Sequence, residues 1–136
     1  MSYLTDGLTF NTLRGGNIAR IPQFKNAKGK LAHNKTGSDW SLNDWYTAMI
    51  GEAGEAGNLL KKVRRGDFTL LEAKEEIAKE LADIVIYLDI LANQCEINLG
   101  EAIMSKFNEV SKRNGCTIYL DAEDWHIRRT ENEHTK

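Results

Sequence analysis

The sequence predicts an all-α fold, a bundle of about four helices built from a chain of 136 residues. Three segments, 41–65, 69–94 and 99–113, repeat apolar residues at the 3.6-residue period of a helix buried on one side. Each is bracketed by helix start and stop residues, and the only proline, Pro22, stands outside all three.

The first helix is expected over 9–20. Leu8, Leu13 and Ile18 have loose helical spacing, Gly15-Gly16 weakens the helix, and Pro22 marks its stop. Residues 23–39 are rich in Lys, Asn and Gly without any period, which reads as a long loop, functional or disordered. Ser41-x-x-Asp44 resembles a capping box and starts the second helix. Its stripe is Leu42, Trp45, Met49, Ala53, Ala56, Leu60 and Val63; Lys61, Lys62, Arg64, Arg65 and then Gly66 end it. Thr69 caps the third helix, whose stripe is Ile77, Leu81, Ile84, Leu88 and Leu91. Its opposite flank, Ala82, Ile86 and Ile90, is apolar too, and a helix apolar on two faces in so small a chain points to a subunit interface. The fourth helix carries Leu99, Ile103, Phe107 and Val110 and stops at Asn114-Gly115. A short extended segment follows at 117–120. One domain over 1–120 and a polar, mobile tail over 121–136 complete the expected organisation.

A net charge of −2 gives no reason to expect a nucleic-acid or membrane-surface binder. No apolar run approaches the ~18 residues of a membrane span, and the N-terminal ten residues lack the pattern of a signal peptide. Cys95 and Cys116 form no metal-spaced pair, so a reducing, cytoplasmic compartment is expected.

The chemistry is suggested by two acid pairs, Glu52-x-x-Glu55 and Glu80-x-x-Asp83, on the second and third helices. Residues i and i+3 of a helix share a face, with Cβ atoms roughly 5–6 Å apart. On a helical wheel Glu52 falls inside the apolar stripe, where a carboxylate is expensive unless paired or bound to a metal. Glu55 lies at the stripe's edge. Glu76, Glu80, Asp83 and Tyr87 form one ridge bordering the third helix's stripe. Four carboxylates brought together by neighbouring helices would repel one another unless a hard divalent cation neutralised them. Mg²⁺ suits oxygen ligands and keeps positions for water or phosphate.

Cations near that site are candidates for a phosphate chain: Lys106 and Arg113 beside the apolar face of the fourth helix, and Lys61 at the end of the second. Lys106 equally suits a snorkelling role. Trp45 reads as core, whereas Trp40 is able to stack on a base. His33, His126 and His134 match no ligand spacing and read as surface residues.

The run Gly51-Glu52-Ala53-Gly54-Glu55-Ala56, followed by Glu80-Leu81-Ala82-Asp83, resembles the E-x-x-E…E-x-x-D signature of the MazG-like nucleotide pyrophosphohydrolases, of the all-α NTP pyrophosphatase superfamily. Leu13-Arg14-x-x-Asn17-x-x-Arg20, Asn58-x-x-Lys61-Lys62 and Lys106-Phe107-Asn108-x-x-Ser111 extend the likeness to short phage and bacterial members, over about 13–115. The resemblance implies that Glu52, Glu55, Glu80 and Asp83 hold Mg²⁺, with Mn²⁺ a possible substitute. It implies hydrolysis of a nucleoside triphosphate to the monophosphate and pyrophosphate, with Lys106, Asn108 and Tyr87 toward phosphates or sugar. A homodimer or homotetramer and a role in phage or bacterial nucleotide metabolism are also implied, with a purine deoxynucleotide, dGTP above all, as substrate. Some members carry another acid directly before the first motif glutamate, where this chain has Gly51, so the group that orients the water is open. Asn17 could read a base edge through its amide or simply satisfy local backbone. A di-iron carboxylate site would need Glu-x-x-His pairs that are absent here. A non-catalytic helical nucleotide- or partner-binding module would not require all four acids.

Overall fold

Thr9 starts the first helix, its hydroxyl accepting the backbone N–H of Thr12. The computed structural model describes residues 7–121 and 125–127. Its helices are α1 (Phe10–Arg20), α2 (Leu42–Arg65), α3 (Leu70–Gln94) and α4 (Leu99–Arg113), with a 3₁₀ turn, Ile21–Gln23, after α1 and two short strands, β1 (Ile118–Leu120) and β2 (Trp125–Ile127). The start signals act as expected. Ser41 with Asp44, and Thr69 with Glu72, form reciprocal capping boxes at α2 and α3. Gly66, in the left-handed conformation at φ 82°, closes α2.

The chain divides into two compact units, Met1–Glu96 and Ile97–Lys136. Glu96 adopts φ 57° there, a conformation that no helix can continue through.

In the first unit α2 and α1 both pack on α3. Ile21, Trp45 and Ile90, each 1% exposed, form the core, with Phe24, Ile86, Tyr87 and Leu91 against it. The buried face of α1 is polar, unlike the loose Leu8/Leu13/Ile18 stripe read from the sequence. Arg14 Nε donates to both carboxylate oxygens of Asp89, at 3.1 and 3.2 Å, and Arg14 Nη2 lies 3.1 Å from Oδ1. Asn17 Nδ2 donates to Asp89 Oδ2 at 3.0 Å and to the Ile86 carbonyl at 3.3 Å. Asp89 is fully buried. These bonds and Ile21 cover the Ile86–Ile90 flank of α3, which the sequence assigned to a second subunit. Exposed apolar side chains lie elsewhere, among them Leu81 and Val85 on α3 and Leu42, Tyr46, Ile50 and Leu60 on α2. Leu42, Leu60 and Leu81 thus leave the inward stripes expected of them, because α2 and α3 cover only part of each other's apolar arc.

Residues 23–39 are folded, neither periodic nor structureless. An isolated bridge pairs Lys25 with Leu31, and Asn26 Oδ1 accepts the N–H groups of Lys28 and Lys30 inside that turn. Asn34 accepts from Thr36 N–H and donates to Ser38 Oγ, while Asp39 accepts from Asn34 N–H. Gly37, buried at φ 77°, receives Trp45 Nε1–H on its carbonyl at 3.0 Å; Gln94 Nε2 donates to the Thr36 carbonyl at 2.8 Å. The segment is therefore strapped to the start of α2 and the end of α3.

In the second unit Asn98 caps α4 through Glu101 N–H. β1 pairs antiparallel with β2 in the register Ile118↔Ile127, Tyr119↔His126, Leu120↔Trp125. β2 lies within the segment read as a mobile tail, and that reading is corrected for 125–127, whose backbone pairs with that of β1. Residues 122–124 and 128–136 lie outside the described residues.

Candidate functional site

Helices α2 and α3 run side by side in the first unit and bring three of the four motif acids together. One carboxylate oxygen each of Glu52, Glu80 and Asp83 lies within 4.8 Å of the others, and all three residues are half-buried. Glu55 is exposed and stands outside this trio, although its carboxyl bears on that of Glu80. Among the described residues no Lys or Arg forms an ion pair with any of the four. Glu80 Oε2 is enclosed and has no hydrogen-bond partner. Burial first, then the adjoining Glu52 carboxylate and the Asp83 charge, push the Glu80 carboxyl above its ordinary range, with the Glu55 carboxyl working the other way.

An enclosed carboxylate oxygen without a donor is a costly arrangement. Three acids at this separation, one with a free oxygen, fit a hard divalent cation such as Mg²⁺ or Mn²⁺, which takes carboxylate oxygens. The same cluster exposes neither histidine nor cysteine to a softer metal.

Tyr87 lies one turn beyond Asp83. Its hydroxyl is pushed above the ordinary tyrosine range, by burial first and then by the Glu52 and Asp83 charges, with the Arg20 cation opposing. Beside it stands an aromatic wall. Trp45 and Tyr87 have ring centroids 6.4 Å apart, and Trp40 lies 4.7 Å from Trp45. His33 packs against both indoles, 4.7 Å from Trp40 edge-on and 4.9 Å from Trp45, with its Nδ1 3.1 Å from Asp39 Oδ2. Burial raises the Asp39 carboxyl, but the Asn34 N–H and His33 outweigh it, and the net shift is downward. The reading of His33 as a surface residue is corrected: its side chain is 8% exposed, enclosed by rings that sequence distance had hidden. The side chain of His126 and all of His134 lie outside the described residues.

The other expected ligand residues have varied settings. Asn17 is buried, its amide N–H groups donated to the Asp89 carboxylate and to the distant Ile86 carbonyl of α3 rather than to local backbone. Trp40 keeps about a third of its surface exposed. Lys61 is exposed near the end of α2. Lys106, Asn108 and Arg113 belong to the second unit. Lys106 Nζ is paired with Glu109 at 3.1 Å and edges an apolar cleft of about 550 Å³ with Ile103, Phe107 and Cys116. Asn108 clamps Leu120 from both sides, accepting its N–H at 2.8 Å and donating to its carbonyl at 2.9 Å, so it serves as a strand anchor. Arg113 is exposed in the last turn of α4. Both cysteines are free thiols. No described helix is long and apolar enough to cross a membrane.

No protein-family profile and no solved structure matches the chain. A curated relative does: the Gene 37 protein of Mycobacterium phage L5 is 31% identical over 78 residues, 56% of this chain and 68% of that protein. With two thirds of its length matched at that identity, the chain belongs to the same family as this phage Gene 37 protein.

Proposed function

We propose that the chain is a Mg²⁺-dependent (deoxy)nucleoside triphosphate pyrophosphohydrolase, acting at the acid cluster between α2 and α3. The observation that carries this reading is the Glu52/Glu80/Asp83 trio with its unpartnered Glu80 oxygen. Glu52, Glu80 and Asp83 would hold the metal, with Glu55 beside Glu80 completing the set or orienting water. Bound there, a divalent cation neutralises phosphate charge and lowers the pKa of a coordinated water. Water adds across the α–β phosphoanhydride: one P–O bond forms, one breaks, and monophosphate and pyrophosphate leave. Tyr87, kept protonated, offers an O–H to a phosphate or sugar oxygen. Trp40 offers a stacking face, which strengthens binding of any base without choosing one. The resemblance to phage forms favours a purine deoxynucleotide, dGTP foremost. The exposed Leu42, Tyr46, Ile50, Leu81 and Val85 favour a homodimer or homotetramer.

The test is to incubate the chain with each of the eight common NTPs and dNTPs plus Mg²⁺ and separate the products. Monophosphate with pyrophosphate is expected. Diphosphate with phosphate, or no turnover of any nucleotide, would overturn the reading. Glu52→Gln, Glu80→Gln and Asp83→Asn should each abolish turnover while the helical signal persists.

A further inference from the structure

Helix α1 carries two arginines, Arg14 and Arg20, and among the described residues only Arg14 forms an ion pair. Arg14 is fixed on Asp89. One turn on, Asn17 reaches the Ile86 carbonyl. Each three-residue advance along α1 is thus a three-residue retreat along α3, the register of an antiparallel pair. One more such step, about 4.5 Å along the axis, brings Arg20 to the level of Asp83. Arg20 ends α1, and its Cζ lies 5.2 Å over the ring of Phe24. Phe24 packs on the same core as Tyr87. The Tyr87 hydroxyl is pushed above its ordinary range by burial first and then by the Glu52 and Asp83 charges, with the Arg20 cation opposing. Among the described residues Arg20 forms no ion pair, and it is exposed.

A guanidinium stacked on an aromatic ring has its plane fixed while its N–H groups stay available, and that planar fork matches phosphate oxygens bidentately. As a cation it cannot ligate a metal, so an anion is the partner it fits. We propose that Arg20 is a substrate-binding residue that takes the phosphate chain of the ligand held at the Glu52/Glu80/Asp83 cluster. The inference rests on the reading of that cluster as a metal–phosphate site, and it requires no particular base.

Calorimetric titration separates the two claims. Wild type, Arg20→Gln and Arg20→Lys are titrated with Mn²⁺ alone, and with inorganic tripolyphosphate in excess Mg²⁺. Losing a charged bidentate contact predicts roughly tenfold or greater weakening of tripolyphosphate by Arg20→Gln. Mn²⁺ affinity should hold or rise, because a neighbouring cation has gone. Arg20→Lys should recover part of the loss. Were Arg20→Gln to unfold, Arg20→Lys decides alone: at least threefold weakening is expected, and wild-type affinity refutes the inference. Wild-type tripolyphosphate affinity in Arg20→Gln, a parallel loss of Mn²⁺ binding, or no tripolyphosphate binding by wild type would each overturn it. Arg20-dependent binding without nucleotide hydrolysis would leave it standing while the hydrolase reading falls.

Discussion

Replacing Asp89 by Ala removes the carboxylate on α3 that takes both Arg14 and Asn17 of α1. Asp89 is fully buried, receives Arg14 through a fork at 3.1–3.2 Å, and receives Asn17 at 3.0 Å. The Arg14 side chain is 20% exposed and Asn17 3%, so neither recovers full hydration in place. Removing one partner of a buried pair costs about 3–5 kcal/mol. At roughly 4 °C per kcal/mol for a chain of this size, the melting midpoint should fall by about 12–20 °C. Asp89→Asn keeps the shape and an acceptor oxygen and loses the charge, so about 1–3 kcal/mol is expected. The double variant Arg14→Met/Asp89→Leu should be less destabilised than the sum of its single variants, because no charge is left stranded. Urea unfolding followed by circular dichroism measures each variant. An Asp89→Ala protein within about 1 kcal/mol of wild type would refute the lock and, with it, the register that carries Arg20 to the acids.

Glu80 supplies a pH prediction. Its carboxyl titrates above its ordinary value of 4.5, so the protonated form is favoured by the folded chain. That stabilisation is fully present below the unfolded value and is lost as pH rises through the raised one. The metal-free protein should therefore be more stable in mild acid than this group allows at neutrality, Glu80→Gln should flatten the dependence, and divalent-cation affinity should weaken as pH falls through the raised value. A melting series over pH 4–8 and Mn²⁺ titrations at each pH read both. Gly37→Ala should destabilise by about 1–3 kcal/mol, because a Cβ there meets Trp45, Gln94 and Ile21 at 3.1–3.3 Å and the backbone sits at φ 77°; a melting midpoint equal to wild type would contradict the strap. Sedimentation at micromolar concentration should give a dimer or tetramer, and a stable 15.4 kDa monomer would contradict the assignment of the exposed apolar flanks to self-association.

Helices α2 to α4 were legible because their signals are local. Ser41, Thr69 and Asn98 each bond within three residues of themselves, and the stripes report burial at helical period. The acid trio was legible for the same reason, since i, i+3 pairs on two adjacent helices need no long-range information. What stayed hidden depends on distant partners. Arg14 and Asn17 meet Asp89 more than seventy positions away, so α1 looked weakly apolar when its buried face is in fact polar. His33 is enclosed by Trp40 and Trp45 through turns made by Asn26 and Asn34, whose side-chain bonds leave no periodic trace. Asn108 matched a motif by type and spacing, yet its amide is engaged by Leu120. Leu42, Leu60 and Leu81 show the limit of a stripe: periodicity marks an apolar arc, and packing decides how much of it one chain covers.

The most direct test of the central claim is Mn²⁺ binding followed by electron paramagnetic resonance, on wild type and Glu80→Gln at neutral pH. Saturable binding by wild type is expected, weakened at least tenfold in Glu80→Gln while the helical signal is retained. Equal Mn²⁺ affinity in the two proteins, or no saturable binding by wild type, would contradict it.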